Sequence, residues 1–164
     1  MRKTVLIPTD FTVQSLNILK SVLSTNPSTI KLDIILLHGL TLNDSIRDLL
    51  FSSKHQQIES LTTPEFDEAC EVIKNKFDSQ ISSLRVDLFT GYNVSAFNNY
   101  LEGNRVVDIY VSDKKPVFTN KKSFDLSRFI EKSSTNVITV DAMPNTTYSE
   151  KGKVAEVFNQ ISMG

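Results

Sequence analysis

The chain has 164 residues, of which 40% are hydrophobic and 23% are charged, as in an ordinary globular domain. Its 18 basic and 19 acidic residues nearly cancel, so it lacks the basic excess typical of duplex-DNA-binding proteins. The longest unbroken aliphatic run, Ile34 to Leu37, is far too short to span a membrane as a helix. The sequence therefore predicts neither nucleic-acid binding nor membrane insertion.

Cysteine usage bears on the compartment. Cys70 is the only cysteine, so the chain cannot form an internal disulfide bond. This fits a reducing environment, and we predict a cytoplasmic protein. Cys70 falls on the apolar stripe of a predicted helix, which favours a small core residue over a nucleophile.

Continuous apolar runs alternate along the chain with segments of helical period, which is typical of β-α-β units and a parallel sheet. The runs expected to form fully buried strands are Thr4–Ile7, Ile34–Leu37, Val106–Val111 and Val137–Val140. Leu84–Phe89 alternates between apolar and polar residues instead. This alternation predicts an edge strand with one wetter face.

The first two connections differ in regularity. Val13 and the three leucines after it fall on one apolar stripe, which predicts a helix ending near residues 26–27. Between residues 41 and 61, Leu42, Ile46, Leu49 and Leu50 have helical spacing. The polar residues 52–57 that follow are expected to be mobile.

The remaining connections carry clearer helix signals. Thr62 and Glu65 have capping-box spacing, followed by the predicted buried stripe of Phe66, Cys70, Ile73 and Phe77.

Asn93–Leu101 predicts a short helix closed by Gly103. Ser123 is expected to cap the last helix, with Phe124, Phe129 and Ile130 as its apolar contacts. Five strands and the helices between them predict a doubly wound α/β domain with helices on both faces of the sheet.

We assign this domain to residues 1–141. Residues 142–164 form a C-terminal extension, in which Val154, Val157, Phe158 and Ile161 make an apolar helical stripe. One interpretation is a short amphipathic helix that covers the sheet or a dimer mate. The other is a disordered tail, which Gly152 and the short length favour.

In open parallel sheets, ligands bind beyond the carboxyl ends of the strands, so the residues there are candidates. Asp10 follows the first strand, Gly39 follows the second, and Ser112 and Lys114 follow the fourth. Asp10 either holds a ligand's hydroxyl or amine or caps the first helix, and residue preferences alone favour the cap. His38 has no partner at metal-ligand spacing, so we expect it to pack near the first loop and predict no metal site.

Several segments resemble the universal stress protein family. KTVLIPTDFTVQSLNIL at residues 3–19 is similar to its opening, where a strand runs into a Pro-Thr-Asp-Phe turn. IILLHG at Ile34–Gly39, VVDIYVS at Val106–Ser112 and NVITV at Asn136–Val140 resemble its second, fourth and closing strands. The resemblance implies an adenine-nucleotide-hydrolase-like fold with strand order 3-2-1-4-5. It also implies a homodimer formed through the last strand, 137–140.

The resemblance further assigns site residues. Asp10 matches a nucleotide-contacting aspartate, Gly39 the residue whose backbone meets the adenine, and Ser123 the residue that closes a phosphate motif. ATP-binding members carry a Gly-x-x-Gly pattern after the fourth strand. This chain reads SDKKPVFTNKKS over residues 112–123 and has no glycine between Gly103 and Gly152.

Glycine lets backbone amides curl around a phosphate, and Pro116 cannot donate an amide at all. We therefore expect no cofactor, with ATP binding weak or absent. The alternative is a nucleotide-binding stress protein that uses Asp10 and the loop 112–123 in place of the glycine loop. Its lysines, Lys114, Lys115, Lys121 and Lys122, would act there as point charges for an anion.

Three function classes compete. We predict a non-enzymatic stress-response or regulatory domain that acts as a homodimer or through a protein partner. A nucleotide α-hydrolase would need a His-x-Gly-His turn or a Ser-Gly-Gly-x-x-Ser loop, and neither occurs; no nucleophile can be paired with a base from the sequence. A phosphoacceptor receiver would need an acidic pair after the first strand and an aspartate ending the third, where the chain has Asp10 alone and Phe89-Thr90.

Overall fold

The structure is a computed structural model that describes residues 1–42 and 53–141. Its strands are β1 (Arg2–Pro8), β2 (Lys31–Leu40), β3 (Ile81–Phe89), β4 (Val106–Val111), β5 (Ser123–Phe124) and β6 (Asn136–Thr139). All except β5 pair in parallel, in the order β3-β2-β1-β4-β6. The predicted order 3-2-1-4-5 is confirmed, with β6 as the fifth parallel strand.

Helices pack on both faces of this sheet, as predicted. They are α1 (Leu16–Thr25), α2 (Lys54–Leu61), α3 (Pro64–Lys76), α4 (Val94–Gly103) and α5 (Ser127–Glu131). Alternate residues of the central strands point to opposite faces, so Val5 and Ile7 join one core with α1 and α3, while Leu6 joins a second core with α4 and α5. Both faces are buried, which explains why the central strands are continuously apolar.

Two of the predicted strands are less buried than expected. Val107 in β4 is 48% exposed and Val137 in β6 is 39% exposed. Both strands lie on the β6 side of the sheet. The prediction that they are fully buried is therefore wrong, whereas β3 occupies the other edge of the ordered sheet, as its alternating pattern indicated.

Helix starts differ from the predictions by a few residues. Val13 lies exposed in a 3₁₀ turn, Val13–Ser15, and α1 begins only at Leu16. Thr63, not Thr62, caps α3 by accepting a hydrogen bond from the Phe66 amide. Phe66 and Ile73 are buried as expected, and Cys70 and Phe77 pack partly buried against the same core.

The helix predicted to start at Ser123 is the largest local error. Ser123 lies in β5, which pairs antiparallel with the end of β2, and α5 begins at Ser127. Gly103 is the last residue of α4, and Asn104 follows it as the C-cap.

The polar segment 52–57 was expected to be mobile, but α2 starts within it. Ser53 and Gln56 form a capping box there. Lys54 reaches the buried carboxylate of Asp87 in β3 at 2.9 Å, and the Tyr100 hydroxyl of α4 donates to the same carboxylate at 2.5 Å. Burial alone would raise the pKa of Asp87, but these two partners hold that pKa below its ordinary value of 3.8.

Some expectations concern other parts of the chain. Ile46, Leu49 and Leu50 lie outside the described residues, as does the whole extension 142–164 with its apolar stripe at 154–161. Among the helices that the structure describes, none is long and apolar enough to cross a bilayer.

Candidate functional site

The candidate site begins at the turn that follows β1. Phe11 in this turn has a φ of 65°, a left-handed conformation that costs a bulky residue about 1–2 kcal/mol. Its ring is buried between His38, at a centroid distance of 4.6 Å, and Phe66, at 5.4 Å. The Phe11 amide also donates to the Thr9 hydroxyl at 3.1 Å. Packing of the ring against His38 and Phe66 therefore holds the turn in its strained form.

The carboxylate of Asp10 is engaged on both oxygens. Its Oδ1 accepts hydrogen bonds from the Thr12 amide at 3.0 Å and the Thr12 hydroxyl at 2.6 Å. Its Oδ2 accepts a hydrogen bond from the Val117 amide at 2.7 Å, across 107 residues of sequence. Asp10 thus ties the loop after β1 to the loop after β4.

The interpretation of Asp10 as a helix cap is wrong. Thr12 occupies the N-cap position of the 3₁₀ turn, and its hydroxyl accepts a hydrogen bond from the Ser15 amide. Asp10 orients Thr12 by accepting its hydrogen bonds and does not cap the helix itself. The cap was favoured because an acidic residue stands just before an apolar stripe. This pattern does not distinguish an aspartate that caps the helix from one that binds the capping residue.

The loop over residues 112–122 lies across the ends of β1 and β2. Besides the Val117 amide on Asp10, Phe118 packs edge-on against the His38 ring at 5.7 Å. The loop's end is fixed where the Thr41 amide donates to the Lys122 carbonyl at 2.7 Å. Both its middle and its end are therefore anchored to the turn after β1 and the end of β2.

Gly39 lies at the point where β2 pairs with β5. It pairs with Phe124 in the antiparallel β2–β5 ladder. A Cβ atom at Gly39 would lie 2.8 Å from both the Phe124 carbonyl oxygen and a carbon of its ring, closer than real atoms approach. Glycine at this position is required by the chain's own packing.

His38 links three segments of the chain. The residue is only 2% exposed, with Nδ1 lying 2.9 Å from the Thr9 carbonyl oxygen and Nε2 lying 2.6 Å from the Ser123 hydroxyl. A carbonyl oxygen can only accept, so Nδ1 carries the proton of the neutral ring. Nε2 then accepts a hydrogen bond from Ser123. His38 packs on the first loop, as predicted.

Electrostatics favour this neutral form. Burial lowers the pKa of His38 below its ordinary value of 6.5, and the Thr9 carbonyl and the Asp10 carboxylate only partly oppose that shift. At neutral pH the imidazole is therefore an uncharged base. Its two hydrogen bonds are both made within the protein.

The predicted site residues divide between two adjoining cavities. Asp10, Gly39, Ser112 and Lys114 all line a cavity of about 520 Å³. Ser123 instead lines a neighbouring cavity of about 290 Å³, together with Asp10 and His38.

Comparisons with known proteins give a fold rather than a close relative. No protein-family model matches the chain, and no curated protein matches it in sequence. Solved structures do match: the universal stress protein UspA from Lactobacillus plantarum is 10% identical, with 85% of this chain and 97% of that one covered and a TM-score of 0.54. The hypothetical proteins MJ0577 and PH0823 are 19% and 17% identical, with TM-scores of 0.51 and 0.52. The alignments cover 92% of this chain and 97% of MJ0577, and 88% of this chain and 99% of PH0823.

The chain has the universal stress protein fold. The match to UspA covers nearly all of that protein, and the strand order agrees with the one that the resemblance implied. The match and the strand order together establish the architecture. In this architecture Asp10 and Gly39 lie at the same end of the sheet.

On this fold, the three residues that the resemblance assigns to a nucleotide already have partners in the chain. Asp10 binds Thr12 and Val117, Gly39 pairs with Phe124, and the Ser123 hydroxyl donates to His38. A nucleotide that used these groups would compete with these contacts.

Two elements of the site were missed from the sequence. One is β5, because two residues carry no periodic pattern. The other is the pairing of Ser123 with His38, which lie 85 residues apart. The only sequence signal for His38 was its position, as a polar residue directly after the apolar run of β2. Nothing in the sequence indicated that Ser123 is its partner.

Burial of neutral His38 predicts a specific pH dependence of stability. The unfolded chain binds a proton near pH 6.5, whereas the folded chain does so only at lower pH. The stability that neutral His38 gives to the folded protein is complete above pH 6.5. It is lost as the pH falls toward the folded-state pKa, by up to about 1.4 kcal/mol of unfolding free energy per pH unit. Urea unfolding between pH 7.5 and 5 should show this slope, flattened in a His38→Gln variant.

The chain has two histidines, so His55 provides the matched control. His55 lies exposed on α2, and a His55→Gln variant should keep the wild-type slope. If His38→Gln and wild type lose stability in parallel as the pH falls, the imidazole is not held neutral in the folded protein.

Proposed function

We propose that this chain is a non-enzymatic member of the universal stress type, a stress-response or regulatory domain that binds ATP weakly or not at all. The observation that carries the proposal is the engagement of Asp10 on both carboxylate oxygens, by Thr12 and by Val117. The absence of glycine between residues 103 and 152 supports it from the sequence.

The energetic reasoning favours weak binding. A hydrogen bond to a charged group contributes about 1.5–3 kcal/mol, so freeing Asp10 from the Val117 amide costs a ligand roughly tenfold or more in affinity. A missing backbone cradle removes further bonds of this strength to the phosphates. Exposed lysines recover little of this binding free energy, since an ion pair with a surface charge contributes only about 0–1 kcal/mol.

Isothermal titration at physiological salt tests the proposal. We expect dissociation constants on the order of 1 mM or weaker for ATP, with adenosine no tighter. Asp10→Ala and Asp113→Ala variants provide a matched pair, because Asp113 lies on the same loop and is exposed. Micromolar ATP binding that is lost in Asp10→Ala and kept in Asp113→Ala would contradict the proposal.

A second candidate function is nucleotide binding through the loop 112–123. The observation that favours it is the cavity of about 520 Å³, within the usual range for small-molecule sites, which Asp10, Gly39, Ser112, Lys114 and Lys115 line together. On this alternative the two lysines would hold the phosphates, and their replacement by alanine would abolish binding in the same titration.

We also propose that the protein is a homodimer joined through the last strand. Within the residues that the structure describes, β6 pairs with β4 on one side and ends the sheet on the other, and Val137 on it is 39% exposed. An edge strand that offers unpaired amides and an apolar side chain readily pairs with another copy of itself. This pairing would leave the site after β1 free for a protein partner.

Light scattering at micromolar concentration should therefore give the mass of a dimer. A Val137→Lys substitution should shift the protein toward monomer, because it places a charge in the proposed interface. Val72→Lys is the matched control, since Val72 is an exposed valine on α3, away from β6. A monomeric wild type, or equal effects of the two substitutions, would refute the interface.

A further inference from the structure

The contact between Ser123 and His38 has the arrangement of an activated nucleophile. The Ser123 oxygen lies 2.6 Å from His38 Nε2, and the serine borders the cavity of about 290 Å³. We propose that Ser123 is a site of covalent acylation, at which His38 takes the hydroxyl proton and an activated acyl ester or thioester supplies the acyl group. This reactivity goes beyond the proposed stress-response or regulatory function and needs no turnover.

The imidazole is held in the form that the reaction needs. The Thr9 carbonyl accepts from Nδ1, which leaves the lone pair of Nε2 directed at the serine hydroxyl. Phe11 and Phe118 pack against the ring at centroid distances of 4.6 and 5.7 Å and fix its orientation. A backbone carbonyl thus takes the orienting role that a carboxylate has in a catalytic triad.

The neighbouring cavity can admit the acyl donor. Leu61, Val117 and Phe118 give part of its lining an apolar character suited to a short acyl chain. Asn120 lines the same cavity, and its side-chain oxygen accepts a hydrogen bond from the Lys122 amide at 2.8 Å. Because the oxygen accepts this bond, we assign the NH₂ group of Asn120 as the donor to a developing oxyanion.

The step balances within these groups. The Ser123 oxygen attacks the carbonyl carbon of the donor and forms a carbon–oxygen bond, while its proton passes to His38 Nε2. The bond to the alkoxide or thiolate leaving group breaks, and His38 returns the proton to that group. The products are an acyl-serine ester and a free alcohol or thiol, with no net oxidation or reduction.

An alkyl fluorophosphonate is the probe, because it reacts with activated serine hydroxyls and spares the adjacent lysines, Lys121 and Lys122. The Ser123 oxygen displaces fluoride from phosphorus, and the proton again goes to His38. Trypsin releases Ser123 in the peptide SFDLSR, which also contains Ser127. Fragmentation spectra of this peptide compare the two serines within one molecule, and Ser127 is the internal control.

We expect the folded wild type to be labelled at Ser123 and not at Ser127, and heat-unfolded protein to be labelled at neither. Ser123→Ala should abolish the label, and His38→Gln should slow it by roughly 100-fold or more, the usual contribution of a general base. Circular dichroism establishes that each variant is folded. If the His38→Gln variant is unfolded, the extent of labelling at Ser123 relative to Ser127 in the wild type decides whether the proposal holds.

The proposal is overturned if Ser123 and Ser127 are labelled equally, or if neither is labelled in the folded protein. It is also overturned if a folded His38→Gln variant is labelled at the wild-type rate. None of these outcomes depends on ATP affinity, so the labelling and titration experiments succeed or fail independently.

Discussion

The hydrogen bond from the Val117 amide to Asp10 fastens the loop after β4 to the turn after β1. Asp10 is fixed from the other side by Thr12, and Thr12 in turn caps the 3₁₀ turn that leads into α1. One carboxylate therefore connects the end of β1, the start of the first helical segment and the loop after β4. The shape of both cavities follows from this connection, because Asp10 and Val117 line each of them.

Closing the loop 112–122 in this way changes what the end of the sheet can do. Ser123 is brought to β2, where it donates to His38, and Phe124 comes to lie over Gly39. Several polar groups of this region are thereby hydrogen-bonded to one another. Ser123, at the margin of this network, also borders the cavity of about 290 Å³.

The sequence predicted the fold well because the fold depends on patterns that repeat. Continuous β-branched and leucine runs such as Ile34–Leu37 identify strands covered on both faces, and the alternation at Leu84–Phe89 identifies an edge. The site was predicted only in part, since its decisive contacts involve groups that leave no pattern. The Val117 amide is a backbone group that almost any residue would supply, and Ser123 meets His38 only because a two-residue strand pairs with the end of β2.

Amide hydrogen exchange at Val117 tests the central claim most directly. If the loop is held by Asp10, the Val117 amide should be protected in the wild type and should exchange far faster in an Asp10→Ala variant. The Lys114 amide, which donates to the Ser112 hydroxyl in the same loop, should change little and serves as the internal reference. A Val117 amide that exchanges at the rate of an unfolded chain in the wild type, or stays protected in Asp10→Ala, would contradict the account.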